Sequence, residues 1–400
     1  MTLTAAKSLP RWRQPITLLI VMMVILSLAH STWHALLNNF AIEAVNFTGV
    51  EIGWLHTIRE IPGFMAVGVI AVLIFMREQV LGVVSLLVLG LAVMVTAWFP
   101  SLGGLLTITM ISSIGFHYYE TVNQSLQLQW IDKKHAPQVL GWIVSAGSAA
   151  SLLAYGSLML GWKTLDLSYN FVYMLAGGST ALLAIMLWFL YPQFESPVTQ
   201  HKTMILRRRY WLYYALTFMA GARRQIFIVF AAFMMVEHFG FEVQDVTGLL
   251  LLNYTANIFI APLVGKLIAR VGERNALAFE YVGLTLVFLA YGGIYYFGWG
   301  VVLAAILYVV DHLFFALAFA LKTYFQKIAD PKDIAPTAAV AFSINHIAAV
   351  VLPATLGYLW ITSPSAVFML AAGMAIGSLL LALMIPRHPE KGHETVFSRT

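Results

Sequence analysis

Two adjacent arginines, Arg223 and Arg224, stand in the middle of an apolar run from about Tyr210 to Val236. At a bilayer centre each would cost roughly 2.5–3.5 kcal/mol on insertion scales, a cost tolerated where the charge meets a partner or water. A guanidinium stays charged and offers a planar fork matched to carboxylate or phosphate. A carboxylate beside it can exchange a proton when the cation is taken by another anion. The doublet thus points to anion binding linked to proton movement. Groups that could complete such chemistry recur in other apolar runs. Ser113, His117, Glu120, Gln124 and Gln127 follow in steps of four and three and make one polar stripe on a helix. His30, His34 and Asn38 share another helical face, with Trp33 beside His34. Asp311 and His312 occupy a fourth run, with Lys322 nearer its end. Arg59 and Glu60, Asn253 and Asn257, and Asn345 and His346 lie in three more.

With Lys322 set aside as a snorkelling residue, Arg59, Arg223 and Arg224 balance Glu60, Glu120 and Asp311. Buried charges are usually paired, so one reading is that these six are salt bridges holding helices together. The other is that intramembrane ionisable groups mark a substrate or proton site. Arg59 and Glu60 fit either reading; Arg223, Arg224, Glu120 and Asp311 are read as functional. The histidines are open to three roles. They can be polar contacts between helices or proton carriers near neutral pH, and the His30/His34 pair could face a divalent metal. The chain has no cysteine and no HExxH arrangement, so no metal site and no cofactor is assigned. Trp33, Tyr118 and Tyr119 could stack on a solute or serve helix packing.

These residues need helices to carry them. The 400 residues are 60% apolar and only 10% charged, with a mean hydropathy of +0.82. A soluble domain is nearer half apolar and a quarter charged, so the chain reads as a polytopic membrane protein. Lys7, Arg11 and Arg13 precede an apolar run that reaches Leu37 without a small-x-small cleavage site, which reads as an uncleaved first span. A helical crossing takes about 20 apolar residues. Twelve segments qualify, at about 16–37, 53–76, 80–98, 102–129, 137–160, 169–192, 210–236, 243–270, 276–297, 300–326, 337–360 and 366–386. The short alternating segments of a β-barrel are absent. With the N-terminus inside, eighteen of the 23 Lys and Arg residues fall in cytoplasmic segments, and only Lys163 in an outer loop. The basic pI near 9.2 is therefore an orientation signal and gives no reason to expect nucleic acid as a partner. The longest polar connection, Gln193 to Arg209, ends in the Arg207-Arg208-Arg209 cluster and separates six spans from six. At an offset of 190, Leu26-Ser27 falls on Leu216-Thr217 and Phe40 on Phe230, a weak echo that supports a duplicated bundle.

The twelve spans, the central basic linker and the segment Gly265-Lys266-Leu267-Ile268-Ala269-Arg270-Val271-Gly272-Glu273-Arg274 resemble the major facilitator superfamily over nearly the whole chain. That segment is similar to the family's loop signature, glycine-x-leucine-x-aspartate-arginine-x-glycine-arginine-arginine. Gly265, Leu267, Arg270, Gly272 and Arg274 match; Ala269 stands for the aspartate and Glu273 for an arginine. The loop Ile74–Gln79 between spans 2 and 3 has largely lost the pattern, and span 5 lacks the glycine-proline pair of drug/proton antiporters. The resemblance implies that spans 1, 4, 7 and 10 line a central cavity and that Gly265, Arg270, Gly272 and Arg274 form a gating loop.

The expectation is an all-α membrane protein of twelve transmembrane helices in two pseudo-symmetric six-helix bundles. Residues 1–192 form the first bundle, 193–209 a cytoplasmic linker and 210–400 the second bundle with a short tail. It is expected to be a secondary transporter, not an enzyme, moving a small anionic organic solute with proton coupling. It would work as a monomer in the cell inner membrane, with both termini cytoplasmic. Arg223 and Arg224 would hold the anion, with Trp33, His34, Tyr118, Gln124, Asn253 and Asn257 around it. Glu120, Asp311, His117 and His312 would be proton-linked. The alternatives are a transition-metal carrier or a haem- or metal-binding membrane protein using the histidines, and a transporter-like receptor without net flux.

Overall fold

The computed structural model describes residues 1–65, 68–131, 136–195, 206–330 and 333–398. Most of the 193–209 linker, residues 196–205, lies outside the described residues. Helices occupy all twelve expected segments. They are α1 (Pro15–Val45), α2 (Gly49–Phe64, then Gly68–Val72), α3 (Glu78–Val95), α4 (Leu102–Trp130), α5 (Ala136–Thr164), α6 (Tyr169–Leu190), α7 (Arg208–Glu237), α8 (Val243–Val271), α9 (Glu273–Phe297), α10 (Val301–Ile328), α11 (Ile334–Thr362) and α12 (Pro364–Leu383). Among the described residues, nine of these helices are long and apolar enough to cross a membrane. The other three are α2, whose first piece has 16 residues, and α4 and α8, which carry polar residues through their middles. Large apolar side chains such as Leu160, Phe189, Phe259 and Leu286 stand exposed, as a lipid-facing surface requires.

The chain forms two compact units. The first comprises Met1–Asn46, Ile58–His201 and Glu242–Gly248; the second comprises Phe47–Thr57, Lys202–Phe241 and Leu249–Thr400. In the first unit α1 packs on α5 and α6, and α3 on α4 and α6. In the second, α7 packs on α11 and α12, and α9 on α10 and α12. The same pairings therefore recur six helices later, which is the structural form of the duplication.

Close approach without a hydrophobic drive needs small residues at the crossing. Gly90 of α3 and Gly177 of α6 meet backbone to backbone: a Cβ on Gly90 would lie 2.6 Å from the Ala181 nitrogen, and one on Gly177 would run into the Met94 nitrogen. In the second unit Gly221 of α7 has the Asn345 carbonyl of α11 2.7 Å from where its Cβ would stand. Thr57, at the end of the α2 stretch that belongs to this unit, donates to the Val350 carbonyl at 2.8 Å and accepts from the Ala354 amide at 3.1 Å. Its hydroxyl is thus inserted into the α11 hydrogen-bond ladder beside Pro353.

Two helices break regularity where the charged residues lie. α7 passes through a π turn at Phe227–Ala231, shortly after the arginine doublet. α10 tightens into a 3₁₀ turn at Phe315–Ala318, shortly after Asp311 and His312. At the start of α7 the second unit is tied by Asp333, whose carboxylate is buried. It accepts from Arg207 Nε at 2.5 Å and Nη2 at 2.9 Å, and from the Tyr210 hydroxyl at 3.0 Å.

Two measurements test this packing. Gly177→Ala should lower stability in detergent by about 1–3 kcal/mol through overpacking, while Gly373→Ala, where nothing lies within 4 Å, should leave the melting temperature unchanged. The Arg207 hydrogen bond, opposed by burial and helped by Tyr210, holds the Asp333 carboxyl below the usual carboxylate range. A depressed acid contributes stability above its unfolded value, about 3.9, and loses it as pH falls through the folded value. Asp333→Asn should therefore melt below wild type at neutral pH, and the gap should narrow once the pH drops below about 4.

Candidate functional site

In the first unit, α1 and α4 bring their polar faces together. The His30 ring stacks on Phe116 with centroids 4.4 Å apart, and His34 lies one turn on at 6.3 Å. Both histidines are half-buried. On α4, the Ser113 hydroxyl donates to the Arg59 carbonyl of α2 and meets His117 Nδ1 at 2.9 Å. Arg59 itself makes a fork onto Glu60 Oε1, at 3.0 Å from Nε and 2.7 Å from Nη2. The stripe on α4 opens along its length: Ser113 and His117 are buried, Glu120 half-buried and Gln124 exposed. Among the described residues Glu120 pairs with no basic side chain. Tyr118 sets its hydroxyl over Gly68, which has no side chain to obstruct it. Trp33 is buried, and its indole nitrogen has no described partner.

In the second unit the arginine doublet is split. Arg223 turns into a dry seam between α7 and α9: its side chain is 3% exposed and its Nη1 lies 3.8 Å from Glu280 Oε1. Its guanidinium also covers the Tyr281 ring at 4.3 Å, a favourable stack for a delocalised cation. Arg224, about 100° further round the helix, is half-buried and donates to Asn345 Oδ1 of α11 at 2.7 Å. Asn345 is fixed in turn by a 3.4 Å hydrogen bond to the Thr217 carbonyl. Gly221 permits this, since a larger residue there would strike Asn345.

Asp311 is fully buried, and neither of its oxygens has a hydrogen-bond partner among the described residues. Next to it His312 Nε2 meets Asn257 Nδ2 of α8 at 2.9 Å. Asn253, one turn before Asn257, is fully buried with both amide atoms unpartnered among the described residues. Phe227, the first residue of the π turn, lies 4.9 Å from the Tyr308 ring and 5.3 Å from the Phe315 ring of the 3₁₀ turn. The two irregular turns thus adjoin His312.

The loop between α8 and α9 is a single-residue joint. Gly265 and Arg270 lie in α8, Arg270 exposed. Gly272 takes φ 81°, ψ 161°, a conformation closed to residues with a Cβ, and so lets Arg274 follow at once in α9. Glu273, which replaces an arginine of the loop signature, is buried and bonded to Lys327 of α10 at 2.7 Å.

Several residues of these constellations, Glu280, Tyr281 and Phe227 among them, carry no role in the sequence reading. Glu280 lies inside the apolar run 276–297 and belongs in the charge balance drawn from the sequence, which omits it. Tyr281 and Phe227 are aromatic residues among many. Only Glu280 had a legible signal, a lone acid in an apolar run.

The Major Facilitator Superfamily model matches residues 16–353. No curated protein sequence matches the chain. Among solved structures, the nucleoside transporter NupG superposes with a TM-score of 0.72 at 15% identity, over 92% of this chain and 98% of that one. A variant of that transporter gives 0.73 at 16% identity, over 92% and 99%. A bacterial homologue of the human lysosomal transporter Spinster, in an inward-facing and unoccupied conformation, gives 0.68 at 13% identity, over 92% and 94%. These likenesses concern the fold. With twelve helices in two repeated six-helix sets and a family match over most of its length, the chain belongs to the Major Facilitator Superfamily and is a membrane transporter, not an enzyme.

Proposed function

We propose that the protein is a secondary transporter of a small organic anion, working by alternating access of its two six-helix halves and coupled to protons. It works as a single chain in the cell inner membrane with both termini cytoplasmic, in keeping with the bias of Lys and Arg toward one set of loops. The observation that carries the reading is the split of the doublet. Arg223 faces Glu280 in the seam, and Arg224, half-buried at mid-helix, donates to Asn345 of α11. An oriented guanidinium in a water-poor setting is the group of choice for a carboxylate or phosphate. The substrate role assigned to the pair from the sequence is therefore narrowed to Arg224.

In the same unit, Asn257, His312, Phe227 and Tyr308 would supply polar and stacking contacts. In the first unit His34, Tyr118 and Gln124 would supply polar and stacking groups, with Trp33 buried; Asn253 and Asp311 are buried in the second. Glu120, half-buried and without a described cation, is suited to proton exchange, with His117 on the same stripe. Gly265, Arg270, Gly272 and Arg274 would serve the gating loop through the tight joint at Gly272.

A second reading is favoured by one observation, the Asn257–His312 pair set beside aromatic rings. An amide, an imidazole and a stacking face suit an uncharged heterocycle, and a solved relative of the same fold is a nucleoside transporter.

A thermal-shift panel on purified protein, with organic carboxylates, organic phosphates and nucleosides at two pH values, separates the two. Stabilisation by an anion that depends on pH is expected, and Arg224→Ala should weaken it roughly tenfold or more, the worth of a charge-assisted hydrogen bond of about 1.5–3 kcal/mol. Unchanged uptake by that variant in proteoliposomes would remove Arg224 from the site; stabilisation by nucleosides alone would establish the second reading. Arg223→Ala should behave differently. It strands Glu280 in the seam and should cost about 3–5 kcal/mol of stability, against a much smaller loss for Arg224→Ala, read from melting curves without solute.

A further inference from the structure

We propose that Glu280 and Asp311 share one proton, fixed in number by the single charge of Arg223, and that movement of the arginine doublet controls its release. The proton follows from charge balance alone; its coupling to solute rests on the transport reading above. The three groups come from three helices, Arg223 from α7, Glu280 from α9 and Asp311 from α10, and each is at most 2% exposed. Asp311 counts both Arg223 and Glu280 among its electrostatic neighbours. Arginine keeps its proton inside proteins. Two ionised carboxylates against one guanidinium would leave a net negative charge with no water to solvate it, the arrangement that burial penalises most. One carboxyl that keeps its proton brings the sum to zero.

Geometry says which. Glu280 lies 3.8 Å from the guanidinium and is the ionised member. Asp311 has no described hydrogen-bond partner on either oxygen, a state that a buried carboxylate avoids and a neutral acid tolerates better. The other titratable groups around the pair do not alter the count. Among the described residues they are the hydroxyls of Tyr281 and Tyr291 on α9, of Tyr308 on α10 and of Tyr254 on α8 beside Tyr308, and the imidazole of His312, next to Asp311, with its Nε2 meeting Asn257. On α11, His346 Nδ1 meets the Phe342 carbonyl. α12, which packs on both α7 and α9, carries no ionisable residue over Pro364–Leu383.

The doublet gives this proton a use. Arg223 faces the acids and Arg224 faces Asn345, and both lie within about one turn of the π turn at Phe227–Ala231. An anion that draws Arg224 carries Arg223 with it. Withdrawing the cation from Glu280 favours uptake of a second proton by the pair, and its return expels one. Anion occupancy on one side of α7 is thereby linked to protonation on the other, with no direct contact between solute and acid.

Infrared spectroscopy of the full chain in lipid, in light and heavy water, counts protonated buried carboxyls by their C=O stretch and needs no solute. At neutral pH, Asp311→Asn should lose one such carboxyl relative to wild type. Glu280→Gln should lose one as well, because the remaining carboxylate then balances Arg223. Arg223→Met should gain one. An unchanged band in Glu280→Gln overturns the shared proton, and that variant decides the matter even if Asp311→Asn fails to fold. A solute whose binding is independent of pH would overturn the coupling while the spectra stand, so the two failures are distinguishable.

Discussion

A guanidinium that cannot lose its charge has to be accommodated wherever the chain places it, and in the second unit that requirement shapes three helices. Arg223 is almost wholly removed from solvent. Its position is tolerable because α9 presents Glu280 and Tyr281 in sequence, one as counter-charge and the other as a flat electron-rich face. Adjacent residues on a strand would point to opposite sides; on a helix they lie about 100° apart, so the neighbours 280 and 281 can flank one guanidinium. The same 100° separates Arg223 from Arg224 and directs the second arginine to α11. One helix thus carries a structural charge and a candidate binding charge at consecutive positions, and neither can move alone.

The scaffold that holds them depends on small residues at crossings. Between helices in lipid there is little hydrophobic gain from association, so contact area has to come from close packing. Gly90 against Gly177 in the first unit, and Gly221 against Asn345 in the second, bring backbones close enough for side chains on either flank to interlock. At Gly221 this has a chemical result, since the approach of α11 is what places the Asn345 oxygen on Arg224. Packing and site are the same feature there.

The sequence carries the scaffold well and the site unevenly. Twelve apolar runs of sufficient length map onto twelve helical segments, because run length in lipid is dictated by bilayer thickness. The steps of four and three on α4 also survive as one face that grades from buried to exposed. What sequence periodicity cannot supply is the partner. Glu280 stands in plain sight in its run, yet its pairing with Arg223 is a matter of tertiary packing between α7 and α9. The separation of Arg223 from Arg224 likewise depends on which helix lies on which flank. The insertion of the Thr57 hydroxyl into α11 joins residues almost three hundred positions apart, beyond the reach of any local rule. The replacement of a signature arginine by Glu273 acquires a reason only when Lys327 is seen beside it.

The irregular turns complete the picture. A π turn widens the α-helix by one residue and a 3₁₀ turn tightens it, and both weaken the regular ladder of backbone hydrogen bonds. In α7 two residues separate the doublet from the widening; in α10 two residues separate His312 from the tightening. The rings of Phe227 and Phe315 bring the two turns within 5.3 Å. Neither turn contains proline or glycine, so local sequence alone does not impose them. Their joint placement, each two residues removed from an ionisable group and in contact with the other, puts the least regular stretches of α7 and α10 side by side. A shift there would move Arg223 and Arg224 relative to Asp311 and His312, and with Arg224 the Gly221–Asn345 contact beside it. The charges that make the second unit costly to build therefore stand beside the stretches of its helices whose backbone ladders are least regular.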